Sequence, residues 1–219
     1  MSRASTEAVG IAILTKAPEP GRVKTRLAMM LGVDGATALH ARFITHTVKA
    51  AVEAATGPIT IWASPDDTHP FFQELAQNFP LRFARQPEGD LGERMHAAIA
   101  AAGAPTIVIG TDCPVLTGGH LRDAAAALRD GADAVVFSAE DGGYVLIGLK
   151  RPTRELFTDM KWSSDEVMLE TRQRLRHLGL SWREPGRLWD VDRPSDVLRM
   201  RREGLTELLA GIDRRVKAE

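Results

Sequence analysis

Four cations, Lys16, Arg22, Lys24 and Arg26, fall within eleven residues of the segment TKAPEPGRVKTRL, with Glu19 as the only acid among them. Like charges at this density repel one another unless water or an anion screens them, and a polyphosphate is an anion of matching charge density. Pro18 and Pro20 stiffen the segment and Gly21 lets its backbone come close to a ligand, so less ordering entropy is lost on binding. Charge-assisted hydrogen bonds contribute roughly 1.5–3 kcal/mol each, so two or three of these cations could supply much of a micromolar nucleotide affinity. A solvated basic loop is the alternative reading. The pair Lys24 and Thr25 has the look of a P-loop end, but Pro18 and Val23 stand where that motif needs glycine, and the dinucleotide-binding glycine fingerprint is also absent.

The complementary charge lies in IGTDCP, where Asp112 follows a short apolar run. A carboxylate there needs a strong partner, and Mg²⁺, which takes one or two protein carboxylates and completes its octahedron with water and phosphate oxygens, is the natural one. Capping of a following helix near Thr117 is the alternative. In LWDVDRPSD, Asp190 and Asp192 occupy alternate residues of an extended segment, which we expect to turn to opposite sides, one facing a metal and the other capping a helix; Asp192 is the better ligand candidate. EDGGY reads as a hairpin turn carrying Asp141, Gly142 and Gly143. In QPEGDLGERM, Asp90 is a helix cap, and Gly89 and Gly92 leave room for a flat ligand against the backbone. Cys113 reads as a small buried residue, and His40, His46 and His96 as helix-surface or satisfied residues without a site role. The four tryptophans read as core or pocket walls, with Trp162 a candidate wall of an acceptor site.

These candidates need a scaffold. β-rich runs recur at 9–14, 59–64, 81–86, 106–110, 133–139 and 144–149, separated by helical stripes through Leu39, Phe43, Thr47, Val48 and Ala51, through Leu91, Met95, Ile99 and Ala102, and through Leu121, Ala125 and Leu128. Strands alternating with helices predict a three-layer α/β/α sandwich on a mixed, mainly parallel sheet, in which ligands bind beyond the carboxyl ends of the strands. The basic loop, Asp112 and the Gly89 turn all follow strand-like runs. Ser163 and Glu166 read as a capping box before a helix through Val167, Thr171, Leu175 and Leu178, and Pro194 opens another helix. The tail after Gly211 is expected to fray.

A chain of 219 residues fits one domain, taken here as residues 1–219. With 28 basic and 29 acidic residues the net charge is -1, which argues against nucleic acid or an anionic membrane as partner. One cysteine excludes an intramolecular disulfide framework, and no apolar run reaches the roughly 20 residues of a membrane span. A cytoplasmic location is expected, and a homo-oligomer is left open.

Taken in order, KAPEPGRVKTRL, QPEGDLGERM, IGTDCP, EDGGYVLIGL, KWSS and DVDRPSD resemble the bacterial GT-A-like family that includes the arsenosugar-biosynthesis glycosyltransferases, within the nucleotide-diphospho-sugar transferase superfamily. The superfamily's molybdenum-cofactor and deazaflavin-cofactor members are nucleotidyltransferases. The resemblance implies that Lys16, Gly21, Arg22, Lys24, Thr25 and Arg26 bind phosphates, and that Gln86 with Gly89, Asp90, Leu91 and Gly92 lies near the base. It also implies that Asp112 and Asp192 hold Mg²⁺ or Mn²⁺, and that Asp141, Gly142, Gly143, Trp162 and Ser163 face the acceptor. Typical GT-A glycosyltransferases carry two aspartates separated by one residue, whereas TDCP offers one, a pattern that resembles the nucleotidyltransferase branch. The expected activity is metal-dependent glycosyl transfer from a nucleotide-diphospho-sugar, with Lys24 and Arg26 stabilising the departing diphosphate and Asp141 as general base. Nucleotidyl transfer from an NTP to a phosphorylated acceptor is the alternative, and an inactive nucleotide-binding regulator is a third reading.

Overall fold

The computed structural model describes residues 7–103 and 105–212. Eight strands form one sheet: β1 (Gly10–Lys16), β2 (Ile59–Ser64), β3 (Leu81–Arg85), β4 (Thr106–Ile109), β5 (Ala134–Ala139), β6 (Tyr144–Leu149), β7 (Trp182–Arg183) and β8 (Arg187–Leu188). Their order is β3-β2-β1-β4-β6-β5-β7, with β8 also paired to β5. β1 pairs in parallel with β2 and β4, placing Ile13 opposite both Ile61 and Ile109, while β6 runs antiparallel to β4 and β5. The mixed, mainly parallel α/β architecture expected from the alternation of strands and helices is the one observed.

Six helices cover the sheet: α1 (Ala28–Ala54), α2 (Pro70–Asn78), α3 (Leu91–Ala102), α4 (Gly118–Arg129), α5 (Val167–His177) and α6 (Pro194–Arg202). Strand alternation divides the core. Ile11, Ile13, Ile107 and Ile109 point toward α1, α2 and α4, whereas Ala12 and Val108 point toward α3 and α5. A third cluster packs Leu39 and Phe43 of α1 against Trp189, Val191, Val197 and Met200, which brings the C-terminal segment back to the start of the chain. Among the described residues no helix is long and apolar enough to cross a membrane.

The stripe on α3 is shorter than its spacing suggests: Met95 and Ile99 are buried, but Leu91 is 45 % exposed and Ala102 lies at the open end of the helix. The capping box assigned to Ser163 and Glu166 does not form. Glu166 precedes α5 without a side-chain cap, and Ser163 adopts φ 65°, a left-handed backbone from which it cannot serve as an N-cap. Pro194 does open α6, where the Asp196 carboxylate accepts from the Asp192 and Arg193 amides. The tail expected to fray falls, from residue 213 onward, outside the described residues.

Candidate active site

A cleft of about 430 Å³ opens at the carboxyl ends of β1 and β4, lined by Lys16, Arg22, Lys24, Thr25, Arg26, Gln86, Leu91, Asp112 and Asp192. Nine of the expected site residues, drawn from four separate stretches of chain, therefore meet in one place. The loop after β1 supplies the cations. Its turn is closed by the Arg22 amide donating to the Glu19 carbonyl, with Gly21 at φ 77° at the tip, and the Arg22 side chain pairs with Glu19 at 2.8 Å. The side chains of Lys16 and Arg26 form no ion pair with another described residue and lie at the surface.

Lys24 behaves differently from its neighbours. At φ 46° its backbone is left-handed, a conformation costing of order 1 kcal/mol in a non-glycine residue. That turn sends its side chain inward, where only 5 % of it remains exposed. The ammonium donates to the Val191 carbonyl at 2.6 Å and to Asp192 Oδ1 at 3.0 Å, and lies 2.9 Å from Asp112 Oδ1. The Asp112 contact is an ion pair outside hydrogen-bond alignment, so this oxygen, itself buried from solvent, holds no hydrogen bond. Burial alone lowers the Lys24 pKa, but Asp112 and then Asp192 more than offset it and hold the ammonium above its ordinary value. Lys24 lines the cleft, and in this structure its charge is directed at the two acids.

Asp112 and Asp192 converge on a single cation position, from the β4 turn and from the extended segment before α6. Asp112 is tied there by its carbonyl, which accepts from the Val191 amide at 2.9 Å, and Thr117, not Asp112, caps α4. Asp190 and Asp192 do not diverge as expected. Residues at i and i+2 of extended chain share a side, and both line a second cavity of about 600 Å³. Asp190 is pushed up to about 7, first by burial and then by the negative charge of Asp141, Asp192 and Asp112.

The second cavity adjoins the cleft through Arg26 and Asp192 and is also lined by Asp141, Ser163, Ser164, Asp165, Arg193 and Arg199. Asp141 sits in the β5–β6 hairpin, where Oδ1 accepts from the Gly143 amide at 3.0 Å. Gly142 is a packing residue: a Cβ there would lie 2.1 Å from the Asp165 carbonyl. Trp162 is not on this cavity. It packs at 6.4 Å, edge to face, on Tyr144 and closes over Gly92.

A Cβ on Gly92 would meet Trp162 and Phe157 at 2.8 Å, and one on Gly89 would meet the Glu93 carboxylate at 1.9 Å, while Gly92 borders a separate cavity of about 360 Å³ with Asp90 and Glu93. Asp90 is committed as the N-cap of α3, accepting from the Glu93 amide at 2.9 Å, and lies outside the cleft with both glycines. Gln86 does line the cleft, but its amide donates to the Thr15 and Trp62 carbonyls at 3.0 and 2.8 Å, clasping β1 to β2.

His40 is the residue the sequence reading passed over. It is 6 % exposed, lines the cleft, and holds the Lys16 carbonyl through Nε2 at 3.0 Å, while its buried Nδ1 has no partner. Burial keeps it neutral by lowering its pKa. The available signal was a polar residue within the Leu39, Phe43 and Thr47 stripe of a helix whose start faces the strand ends. Cys113 fits its expected role, with burial pushing the thiol up to about 12.

A cleft at strand carboxyl ends, cations on the first loop and paired acids opposite define a protein with the nucleotide-diphospho-sugar transferase fold. A structure from Desulfovibrio desulfuricans G20, provisionally named a nucleotide-diphospho-sugar transferase, is similar at 27 % identity and TM-score 0.81 over 96 % of this chain and 99 % of that one. A nucleotidyl transferase from Methanothermobacter thermautotroptrophicus shares the fold at 18 % identity and TM-score 0.58, over 91 % and 99 % of the two chains. A CMP-2-keto-3-deoxy-manno-octonic acid synthetase, solved with CTP, does so at 14 % identity and TM-score 0.57, over 92 % and 99 %. No curated protein matches the sequence significantly. The chain belongs to the family described as uncharacterized proteins conserved in bacteria (DUF2064), whose profile matches residues 47–164.

Proposed function

We propose that this protein is a metal-dependent transferase that takes its donor from a nucleotide-diphospho-sugar and passes the sugar to a small-molecule acceptor, as expected from its resemblance to the arsenosugar-type glycosyltransferases. The observation that carries this reading is the cleft itself, in which Lys16, Arg22 and Arg26 stand across from Asp112 and Asp192. A diphosphate lying between them would neutralise the loop on one side, and Asp112 and Asp192 on the other would call for a cation to offset their charge beside it. Two carboxylates converging on one cation position, one with an oxygen lacking any hydrogen bond, have the donor chemistry of a Mg²⁺ or Mn²⁺ site. Asp112 and Asp192 would hold that ion, which supplies charge neutralisation for the departing diphosphate.

The chain's own groups do the rest. Arg26 borders both cavities and orients the phosphate nearest the acceptor. Asp141 takes the acceptor proton if the anomeric centre inverts, and Ser163 and Gly143 shape the acceptor side. Nucleotidyl transfer remains the second reading, favoured by the basic loop. In this structure two of the four cations are engaged within the protein, Arg22 with Glu19 and Lys24 with the acids.

Calorimetry of UDP, GDP, UTP, GTP and UDP-sugars, with and without Mg²⁺, tests the reading on the native protein and on Asp112→Ala. Diphosphates and diphospho-sugars should bind only with the metal, and the variant should lose that dependence. Binding of none of them, or equal affinity in the variant, would overturn it. Pyrophosphate release from an NTP with a phosphorylated acceptor, without transfer from any nucleotide-sugar, would decide for nucleotidyl transfer.

A further inference from the structure

The cation position between Asp112 and Asp192 is filled by the protein itself. The Lys24 ammonium has three oxygens within 3.0 Å: it donates to the Val191 carbonyl and to Asp192, and it pairs by charge with Asp112. Its stem is buried beside the Phe43 ring, with the ammonium 5.8 Å from the ring centroid. The left-handed φ of 46° aims the side chain there, so the arrangement is a built pocket for one positive charge. A divalent ion on the same two carboxylates would face that ammonium at contact distance, and two cations so close repel strongly even at a moderate interior dielectric.

We propose that Lys24 is a resident counter-cation of the acid pair and that it exchanges with the divalent metal. In the free protein Lys24 neutralises Asp112 and Asp192 and keeps the acids gathered without metal. When the metal arrives with the diphosphate, the ammonium leaves the acids and joins Lys16, Arg22 and Arg26 at the cleft, so the loop gains a phosphate ligand at the moment the phosphate enters. Metal and nucleotide then bind with positive coupling, because neither alone compensates for displacing the other's partner. This inference rests on the transferase reading for the identity of the incoming anion, but not for the competition between lysine and metal.

Mn²⁺ binding to the nucleotide-free protein, followed by electron paramagnetic resonance, tests the competition with no need for turnover. Lys24→Met keeps the apolar stem and removes the charge, and should bind Mn²⁺ roughly tenfold tighter than the native protein. Equal or weaker binding in a folded variant overturns the proposal. Should that variant fail to fold, the native protein suffices: with ¹⁵Nζ-labelled lysine, the buried Lys24 ammonium should give a slowly exchanging resonance that shifts when Mg²⁺ and UDP or GDP are added together. A resonance unmoved by metal and nucleotide that do bind sinks the exchange while leaving the transferase reading intact. Tighter Mn²⁺ binding by Lys24→Met without affinity for any nucleotide supports the exchange and removes the transferase reading.

Discussion

Lys24 and Asp192 stand 168 positions apart in the chain and 3.0 Å apart in space. Through this pair the loop after the first strand is fastened to the segment before the last helix, and the neighbouring hydrogen bond to the Val191 carbonyl adds a second tie. Because the folded-state pKa of Lys24 lies above its ordinary 10.5, the tie is fully present below that value and is lost as pH rises through the folded pKa. We predict that urea melts of the native protein lose stability above about pH 10.5 in a step that Lys24→Met lacks. A step of equal size in the variant would show that other groups set the alkaline limit.

Asp190 carries the same sign in a lower pH window. With its folded pKa raised to about 7, it keeps a proton that the unfolded chain gives up near 3.8, so its contribution weakens as pH rises between those values. Asp190→Asn should therefore be more stable than the native protein at pH 7.5, by at least about 1 kcal/mol, with the difference closing toward pH 4. Chemical denaturation at the two pH values reads this directly. A constant difference across the range would disprove the assignment.

Two glycines separate packing from binding. Gly92→Ala places a methyl group 2.8 Å from Trp162 and Phe157 and should cost roughly 1–3 kcal/mol in thermal melts, with nucleotide affinity of the folded protein kept. Gly110 also lines the cleft, yet a Cβ there would meet nothing within 4 Å. Gly110→Val should leave the melting temperature within a degree or so while reducing nucleotide affinity by tenfold or more, because the side chain enters the space a ligand would use. Reversed outcomes would place the binding surface on the Gly89–Gly92 turn.

Arg26→Ala should leave stability unchanged, since the side chain forms no ion pair with a described residue, and should weaken nucleotide binding about tenfold with a shallower salt dependence. Calorimetry at two ionic strengths measures both effects. An unaltered affinity would return the loop to the status of a solvated basic turn.

The strands and the sheet class were legible because their residues are sorted by two-residue alternation against two apolar layers, as Ile11, Ala12 and Ile13 show. Members of the site were legible where charge was unusual for its position: the cations after β1, and Asp112 after a buried strand. Their partners were not. That Lys24 turns inward depends on one left-handed residue and on a segment that returns from the far end of the chain, neither of which leaves a local pattern. Ser163 shows the converse, a correct capping signature overridden by the way the β5–β6 hairpin docks on the entry to α5, where the Met168 amide donates to the Gly142 carbonyl. The close approach of Trp162 to Gly92 was not legible either, because a glycine that admits a neighbouring side chain and one that admits a ligand look the same in sequence.

The bond from Lys24 to the Val191 carbonyl also imposes an order in time. During synthesis the basic loop emerges early and its two C-terminal anchors emerge almost last, after every strand of the sheet has left the ribosome. A chain that has not reached them can pair β1 with β2 and β4 and offers Lys24 the Asp112 carboxylate, but lacks the Val191 carbonyl and the Asp192 carboxylate to which the ammonium donates. The cleft is completed only once residues through Asp192 are in place.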